Sequence, residues 1–272
     1  MSNLFKKCII ELEDSLTLIN DLIPEISIKP ENSLLSPLTN DNFNYLESES
    51  LINKCDIVCQ HYFNDKKPII RVIHHFACSG GSLISKCIAS MPNVYLLSEV
   101  HPYTNLHMNS INIKYMPADI ASLAKYSDIP QQEKLAKQIF TRSIESTHKH
   151  LNEVGGTLVL REHTHADFCS DLDKHEVCAV VDALSDDFKV LSLISLRDPI
   201  DSYLSLTRNK WLHFAPQTFD EYCNRLLKFL ESYPDSKIIL YEDFVSKPKK
   251  TMLYICQLLQ LQYSELFENL FD

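Results

Sequence analysis

The chain has 272 residues, of which 45% are hydrophobic, and a formal net charge of −10. This length suits one large α/β domain or two small ones, and the acidic balance argues against nonspecific binding to nucleic acid or to an anionic membrane. No apolar stretch reaches the length of a membrane span, and the first residues, MSNLFKKCIIELEDSL, lack the pattern of a secretory signal.

The nine cysteines follow no framework spacing, which favours a reducing cytoplasm over a secreted, disulfide-bonded protein. Cys55 and Cys59 are four residues apart, but no second pair at zinc spacing accompanies them. We therefore expect no metal site.

Residues 1–66 contain no recognisable chemistry, and we predict that they form a helical extension or cap packed on a main domain, 67–272. The apolar run 69–77 predicts a buried strand, followed by a glycine turn and a helix starting near Ser82. A second short strand is predicted over 94–97. Residues 131–151 have the spacing of a long amphipathic helix, which the Gly155–Gly156 pair would end.

Three more strands are predicted further along, over 157–162, 189–199 and 237–243. Pro199 suits the first turn of the helix after the second of these, and Thr218 with Glu221 resembles the capping box of another helix. A closing helix is predicted over 247–261. Strands that alternate with helices predict a three-layer α/β/α fold with a central, mostly parallel sheet.

Two of the chain's four glycines, Gly80 and Gly81, lie directly between the first predicted strand and its helix. Such a turn gathers backbone N–H groups at a helix N-terminus, which binds phosphate. The alternative is an ordinary tight turn. No Gly-Lys pair is present, which disfavours a Walker A loop, and the three spaced glycines of a dinucleotide fingerprint are absent.

Arg197 lies at the carboxyl end of the predicted strand 189–199, and Ser202 and Ser205 lie on the next helix. Because ligands of open α/β sheets bind outside the carboxyl ends of the strands, Arg197 is expected at the same edge as the glycine turn. A guanidinium and a hydroxyl can clamp a second phosphate. The alternative is a surface ion pair with Asp198 or Asp201.

Three segments together resemble the sulfotransferase family, which uses 3′-phosphoadenosine 5′-phosphosulfate (PAPS) as donor. FACSGGSLISKCIASMPNV (76–94) resembles the 5′-phosphosulfate loop and helix, RDPIDSYLS (197–205) the 3′-phosphate motif, and YEDFVSKPKKTMLYICQLLQL (241–261) a late Tyr-Glu-Asp segment with its helix. The resemblance covers roughly residues 68–261 and implies a P-loop-like sulfotransferase fold. The donor-binding residues that it implies are Cys78, Ser79, Gly80, Gly81, Ser82, Arg197, Ser205 and Tyr241.

The resemblance implies direct transfer of a sulfuryl group to a hydroxyl or amine of a small molecule or glycan, with 3′-phosphoadenosine 5′-phosphate (PAP) as product and no metal. Two residues are candidates for the base. Glu99, after the short strand, resembles the base glutamate of the carbohydrate- and tyrosyl-directed branches. His163, in Arg161-x-His163, resembles the base histidine of the cytosolic branch, with Arg161 assisting. Either could instead be an ordinary polar residue at a strand end.

Two features depart from the family pattern. Cys78 stands where the family usually has Lys or Arg, and Arg161 or Lys86 are the candidates to replace that cation. The chain also ends at Asp272 without the basic segment that many members fold over the 3′-phosphate. A catalytically impaired nucleotide-binding relative and a P-loop kinase therefore remain as alternatives. Residues 102–130 are a candidate wall of the acceptor pocket, while the acceptor itself and the oligomeric state stay open.

Overall fold

The computed structural model describes residues 67–106, 108, 111–114, 116–171 and 178–270. The predicted extension 1–66 lies outside these residues, and its role stays a prediction. The strands are β1 (Ile69–His75), β2 (Val94–Val100), β3 (Thr157–Glu162), β4 (Lys189–Leu196) and β5 (Lys237–Leu240). The helices are α1 (Gly81–Ala89), α2 (Ile120–Tyr126), α3 (Gln132–Glu153), α4 (Thr164–Phe168), α5 (Ala179–Leu184), α6 (Pro199–Asn209), α7 (Phe219–Glu231), α8 (Tyr241–Ser246) and α9 (Pro248–Leu259), followed by a 3₁₀ helix, Glu265–Leu270.

The strands form one parallel sheet in the order β2-β3-β1-β4-β5. β1 lies at its centre, paired with β3 through Val72↔Leu160 and with β4 along its whole length. A strand buried on both faces reads as a nearly continuous apolar run, as IIRVI in β1 does apart from Arg71. The predicted central parallel sheet is therefore confirmed.

Helices cover both faces of the sheet. Ile73 of β1 packs on one face, in a cluster with Ile84 of α1 and Met252 of α9. Val72 packs on the other face with residues of α3 and α5, and Phe76 extends that face toward α6 and α7. Successive strand residues point to opposite faces, so one strand supplies both layers. The predicted three-layer α/β/α fold is confirmed.

The ends of several elements differ from the sequence prediction. β2 continues to Val100, beyond the predicted end at 97. The predicted strand 237–243 stops at Leu240, because Tyr241 starts the short helix α8, which buries Phe244 in the core. Gly155, with φ of 74°, follows the end of α3 as expected, and Thr218 caps α7 by accepting from the N–H of Glu221. Within the described ranges, no helix is both long and apolar enough to cross a membrane.

The topology places a crevice beside the first strand. From β1 the chain runs to β2 and β3 on one side of the sheet, whereas from β4 it runs to β5 on the other. Adjacent strands whose connections leave in opposite directions open a crevice at their carboxyl ends, where α/β proteins bind ligands. The glycine turn after β1 and Arg197 after β4 both lie at this edge.

Candidate functional site

A cleft of about 550 Å³ opens at the carboxyl edge of the sheet. Most of the residues predicted for the site line it together: Cys78, Ser79, Gly80, Gly81, Ser82, Glu99, Arg161, His163 and Arg197. Tyr241 lies behind the glycine turn, and Ser205 lies on α6; neither lines the cleft. Because the carboxyl ends of parallel strands meet at one edge of the sheet, residues up to 119 positions apart, from Cys78 to Arg197, line the same cleft.

The glycine turn presents backbone N–H groups to the cleft. Cys78 (φ 62°) and Gly80 (φ 79°) are both left-handed, and the N–H of Ser79 donates to the Phe76 carbonyl at 3.2 Å. Gly80 is the N-cap of α1 and has no side chain to satisfy the first turn. The first amides of a helix have no partner within it, and they carry the positive end of its dipole. The turn is therefore suited to an anion.

Both glycines are required by close contacts. A Cβ on Gly80 would lie 2.1 Å from Cδ2 of Tyr241, and a Cβ on Gly81 would lie 2.4 Å from the ring of His75. Such distances are far below van der Waals contact. The turn is therefore packed between two aromatic rings that allow no side chain at either position.

Arg161 brings a positive charge to the same point. From the end of β3, its Nη2 lies 2.8 Å from Glu99 Oε1 and donates to Ser82 Oγ at 3.2 Å, while Nη1 donates to Ser98 Oγ at 3.1 Å. Burial lowers the pKa of Arg161, and the neighbouring Glu99 raises it; an arginine stays charged under such influences. The guanidinium is therefore held next to the first turn of α1.

His75, which the sequence analysis did not single out, supports this arginine. Its Nε2 lies 2.8 Å from Nη2 of Arg161 and accepts from Nε at 3.1 Å. Burial first, and then the charge of Arg161, hold the pKa of His75 well below its usual value, so the ring is neutral. A neutral ring that accepts at Nε2 carries its proton at Nδ1, which has no partner among the described residues. The only sequence signal was a polar residue at the buried end of an apolar strand.

The two candidates for the base lie side by side. Glu99 has φ of 58° at an irregularity in the pairing of β2 with β3, which turns its side chain toward the cleft. Its Oε1 meets Arg161, and its Oε2 lies 3.9 Å from Nδ1 of His163. Burial lowers the pKa of His163, although Glu99 raises it. The net lowering leaves the His163 ring neutral and able to accept a proton near neutral pH.

Arg197 lies on the opposite side of the glycine turn. Its guanidinium carbon is 5.2 Å from the centre of the Tyr241 ring, the same ring that packs against Gly80. Its Nη2 lies 3.5 Å from Asp201, so one of the two predicted ion pairs forms, whereas Asp198 instead caps α6. The buried Nε of Arg197 lacks a hydrogen-bond partner in the described part of the chain. A buried donor without a partner indicates a place for a ligand acceptor.

Ser205 is the weakest of the predicted donor-binding residues. It lies two turns into α6, and its hydroxyl accepts from Nδ2 of Asn209 at 3.5 Å. Lys86, the alternative replacement for the missing cation, is exposed on α1 and does not line the cleft.

The far wall of the cleft has a different character. It is formed by Leu106, within the segment 102–130 predicted for this purpose, and by Trp211, His165 and His213. His165 Nε2 and His213 Nδ1 are 2.9 Å apart. Burial and the two neighbouring imidazoles lower the pKa of His165 to about 4. In the regions that the structure describes, no group of three or more His, Cys, Asp or Glu side chains is arranged to hold a metal ion.

No family model and no curated protein matches the sequence. Solved structures with a similar fold include the sulfotransferase domain of the Synechococcus PCC 7002 olefin synthase (16% identity, 74% of this chain and 77% of that one, TM-score 0.45) and the sulfotransferase domain of the curacin biosynthetic pathway (16%, 74% and 77%, 0.49). Thymidylate kinase from Candida albicans is also similar (13%, 73% and 96%, 0.39). At identities and TM-scores this low, the likenesses concern the fold alone, and any functional assignment rests on the site itself.

Proposed function

We propose that the chain is a PAPS-dependent sulfotransferase that moves a sulfuryl group to a hydroxyl or amine of a small molecule or glycan. One observation carries the proposal. The phosphate-binding turn has Cys78 in place of its usual cation, and the guanidinium of Arg161 reaches the same turn from β3 through Ser82.

The 5′ end of the donor fits the glycine turn. A phosphosulfate needs N–H donors, a helix dipole and a cation close together. Gly80 and Gly81 let the turn pack between Tyr241 and His75 at the start of α1, and Arg161 supplies the charge. The absence of a Lys or Arg at position 78 was an argument that the chain is a catalytically impaired relative. This argument loses its force because Arg161 replaces that cation. Lys86 is too far along α1 to take the same part.

The 3′ end of the donor fits the other side of the turn. The unpartnered Nε of Arg197 can donate to a phosphate oxygen, and the Tyr241 ring holds the guanidinium in place from beneath. Ser205 keeps a hydroxyl proton that it can donate, although its oxygen already accepts from Asn209. We therefore assign Arg197 the larger share of the 3′-phosphate contact.

When bound, the donor would supply an activated sulfuryl group at the mouth of the glycine turn. As the acceptor oxygen or nitrogen bonds to sulfur, the bond from sulfur to the 5′-phosphate oxygen breaks and its electron pair stays on that oxygen. Arg161 and the first N–H groups of α1 stabilise this growing negative charge. Glu99 or His163, whose Oε2 and Nδ1 atoms lie 3.9 Å apart, takes the acceptor proton as the general base.

The location that fits this activity is a reducing cytoplasm. The described cysteines, Cys78, Cys87, Cys169, Cys178, Cys223 and Cys256, are all free. Burial raises the pKa of Cys87 to about 11 and of Cys169 to about 12, as expected for small core residues that stay protonated.

Nucleotides that carry different phosphates test the 5′ and 3′ ends of the proposed donor site separately. PAP, adenosine 5′-monophosphate and adenosine 3′-monophosphate are titrated calorimetrically into the wild type and into Arg161→Gln, Arg197→Gln and Arg142→Gln. Arg142, which pairs with Glu145 on the exposed face of α3, serves as the matched control.

Arg161→Gln should weaken the binding of PAP and of the 5′-monophosphate, while the affinity for the 3′-monophosphate stays nearly unchanged. Arg197→Gln should weaken the binding of PAP and of the 3′-monophosphate, while the affinity for the 5′-monophosphate stays nearly unchanged. The expected loss is about 10- to 100-fold, corresponding to about 1.5–3 kcal/mol for a hydrogen bond to a charged group. If both variants bind PAP like the Arg142→Gln control, the donor does not lie in this cleft.

A further inference from the structure

The far wall of the cleft contains features that donor binding does not use. Trp211 and Leu106 line it, together with the hydrogen-bonded pair His165–His213. The indole is 51% exposed, although a large aromatic side chain is usually covered in the free protein. An exposed flat ring inside a cleft is available to stack on a ligand.

Several contacts anchor the loop that carries His213 in this wall. The Asp171 N–H donates to the His213 carbonyl at 3.1 Å, and the Ala215 N–H donates to Asp171 Oδ2 at 2.8 Å. Arg225 clamps the same aspartate at 2.7 Å and covers the ring of Phe214 at 4.6 Å. A subsite held in this way is preformed before a ligand arrives.

The imidazole pair offers ring nitrogens that can hydrogen-bond to a ligand in the cleft. His165 keeps its ring uncharged at pH 7, since burial and the two adjacent imidazoles hold its pKa near 4. Nε2 of His165 and Nδ1 of His213 are paired with each other, which leaves Nδ1 of His165 and Nε2 of His213 to bond a ligand. A hydroxyl both donates and accepts, so it can bond to either nitrogen whether that nitrogen carries a proton or a lone pair.

The charges of the cleft lie elsewhere. Among the described lining residues, the charged ones are Glu99, Arg161 and Arg197. Glu99 pairs with Arg161 at 2.8 Å, and Arg197 packs over Tyr241 behind the glycine turn. A charged acceptor on the far wall would therefore lose hydration without gaining a counter-charge, which is costly.

We propose that Trp211 and the His165–His213 pair form an acceptor subsite for an uncharged hydroxyl compound with a flat apolar ring. The ring stacks on the indole, and the hydroxyl bonds to the imidazole pair. The ring centres of His165 and His163 are 6.2 Å apart, so this subsite adjoins the candidate base. This inference rests on the proposed function and narrows its acceptor to one chemical class.

The chain has a single tryptophan, so its fluorescence reports on this subsite alone. We would titrate three para-substituted phenols whose substituents carry different charges: 4-methylphenol (neutral), 4-hydroxybenzoate (anionic) and tyramine (cationic). Excitation at the red edge of indole absorption avoids the phenols. We expect 4-methylphenol to change the emission and to bind at least about tenfold more tightly than either charged phenol.

Calorimetry then compares variants. Trp211→Ala and His213→Ala should each weaken the binding of 4-methylphenol by about five- to tenfold. The first variant loses the stacking contact, and the second loses a hydrogen-bond partner of the hydroxyl. Tyr254→Ala removes an aromatic residue of similar exposure from a separate cleft beside β5 and should have no effect.

Equal affinities for the three phenols, or unchanged binding in Trp211→Ala, would overturn the proposal. Phenol binding is measured without nucleotide, so its outcome is independent of whether PAP binds. If the protein binds 4-methylphenol but not PAP, the acceptor subsite is supported and the donor site is refuted. If it binds PAP but not 4-methylphenol, the donor site is supported and the acceptor subsite is refuted.

Discussion

Gly80→Ala provides a sharp test of the glycine turn, because the chain contains a matched control. Gly80 and Gly155 have nearly the same left-handed backbone, with φ of 79° and 74°. They differ in their surroundings. A Cβ on Gly80 would overlap the Tyr241 ring at 2.1 Å, whereas a Cβ on Gly155 would meet nothing within 4 Å.

The two substitutions therefore share a backbone cost and differ in a packing cost. A non-glycine residue in the left-handed region costs about 1–2 kcal/mol, which both variants should lose in the free energy of unfolding. Gly80→Ala must also displace Tyr241 or the turn, and such overpacking costs about 1–3 kcal/mol more. Because Tyr241 supports Arg197, the displacement should also reduce PAP affinity, by at least about tenfold if one charge-assisted hydrogen bond is lost.

Urea unfolding measures the stabilities, and calorimetric titration with PAP measures the affinities. We expect Gly155→Ala to bind PAP like the wild type despite its lower stability. We expect Gly80→Ala to have both lower stability and lower affinity for PAP. If Gly80→Ala is only as destabilised as Gly155→Ala and binds PAP normally, the turn neither packs on Tyr241 nor holds the nucleotide, and the reasoning fails.

Three further substitutions or measurements test the assigned roles. Glu99→Gln and His163→Gln should leave PAP affinity nearly unchanged, and the one that removes the base should slow single-turnover transfer by about 10²–10⁴-fold; full rates in both would refute a base at either position. The His165 ring should titrate in NMR near pH 4, staying neutral above that midpoint, and a midpoint at the ordinary value of 6.5 would contradict its burial. Cys78→Lys should restore PAP binding to Arg161→Gln, since it returns a cation to the turn; no rescue would mean that Arg161 does not replace the missing cation.

The sequence was sufficient to predict which segments meet at the carboxyl edge of the sheet. The alternation of apolar strands and helices predicted the sheet, and the carboxyl-edge rule then placed Arg197 and the glycine turn together. The same rule explains why Glu99 and Arg161, at the ends of β2 and β3, lie within 2.8 Å of each other. In each case, a local pattern and one general property of parallel sheets were enough.

The remaining features depend on contacts between distant segments. The role of His75 depends on its contact with Arg161, which lies 86 positions later in the chain. The pair His165–His213 joins residues 48 positions apart. Neither pairing leaves a periodic signal in the sequence. The end of β5 was predicted wrongly for a related reason. KIILYED continues a β-like pattern, but burial of Phe244 in the core favours a helix starting at Tyr241.

The most direct measurement of the central claim is a calorimetric comparison of PAP, adenosine monophosphate and magnesium with adenosine triphosphate on the wild-type protein. A donor site built from Arg161, Arg197 and the glycine turn predicts that PAP binds most tightly, that removing its 3′-phosphate weakens binding, and that magnesium is not needed. No binding of PAP, or a preference for the magnesium triphosphate, would contradict the proposed sulfotransferase function.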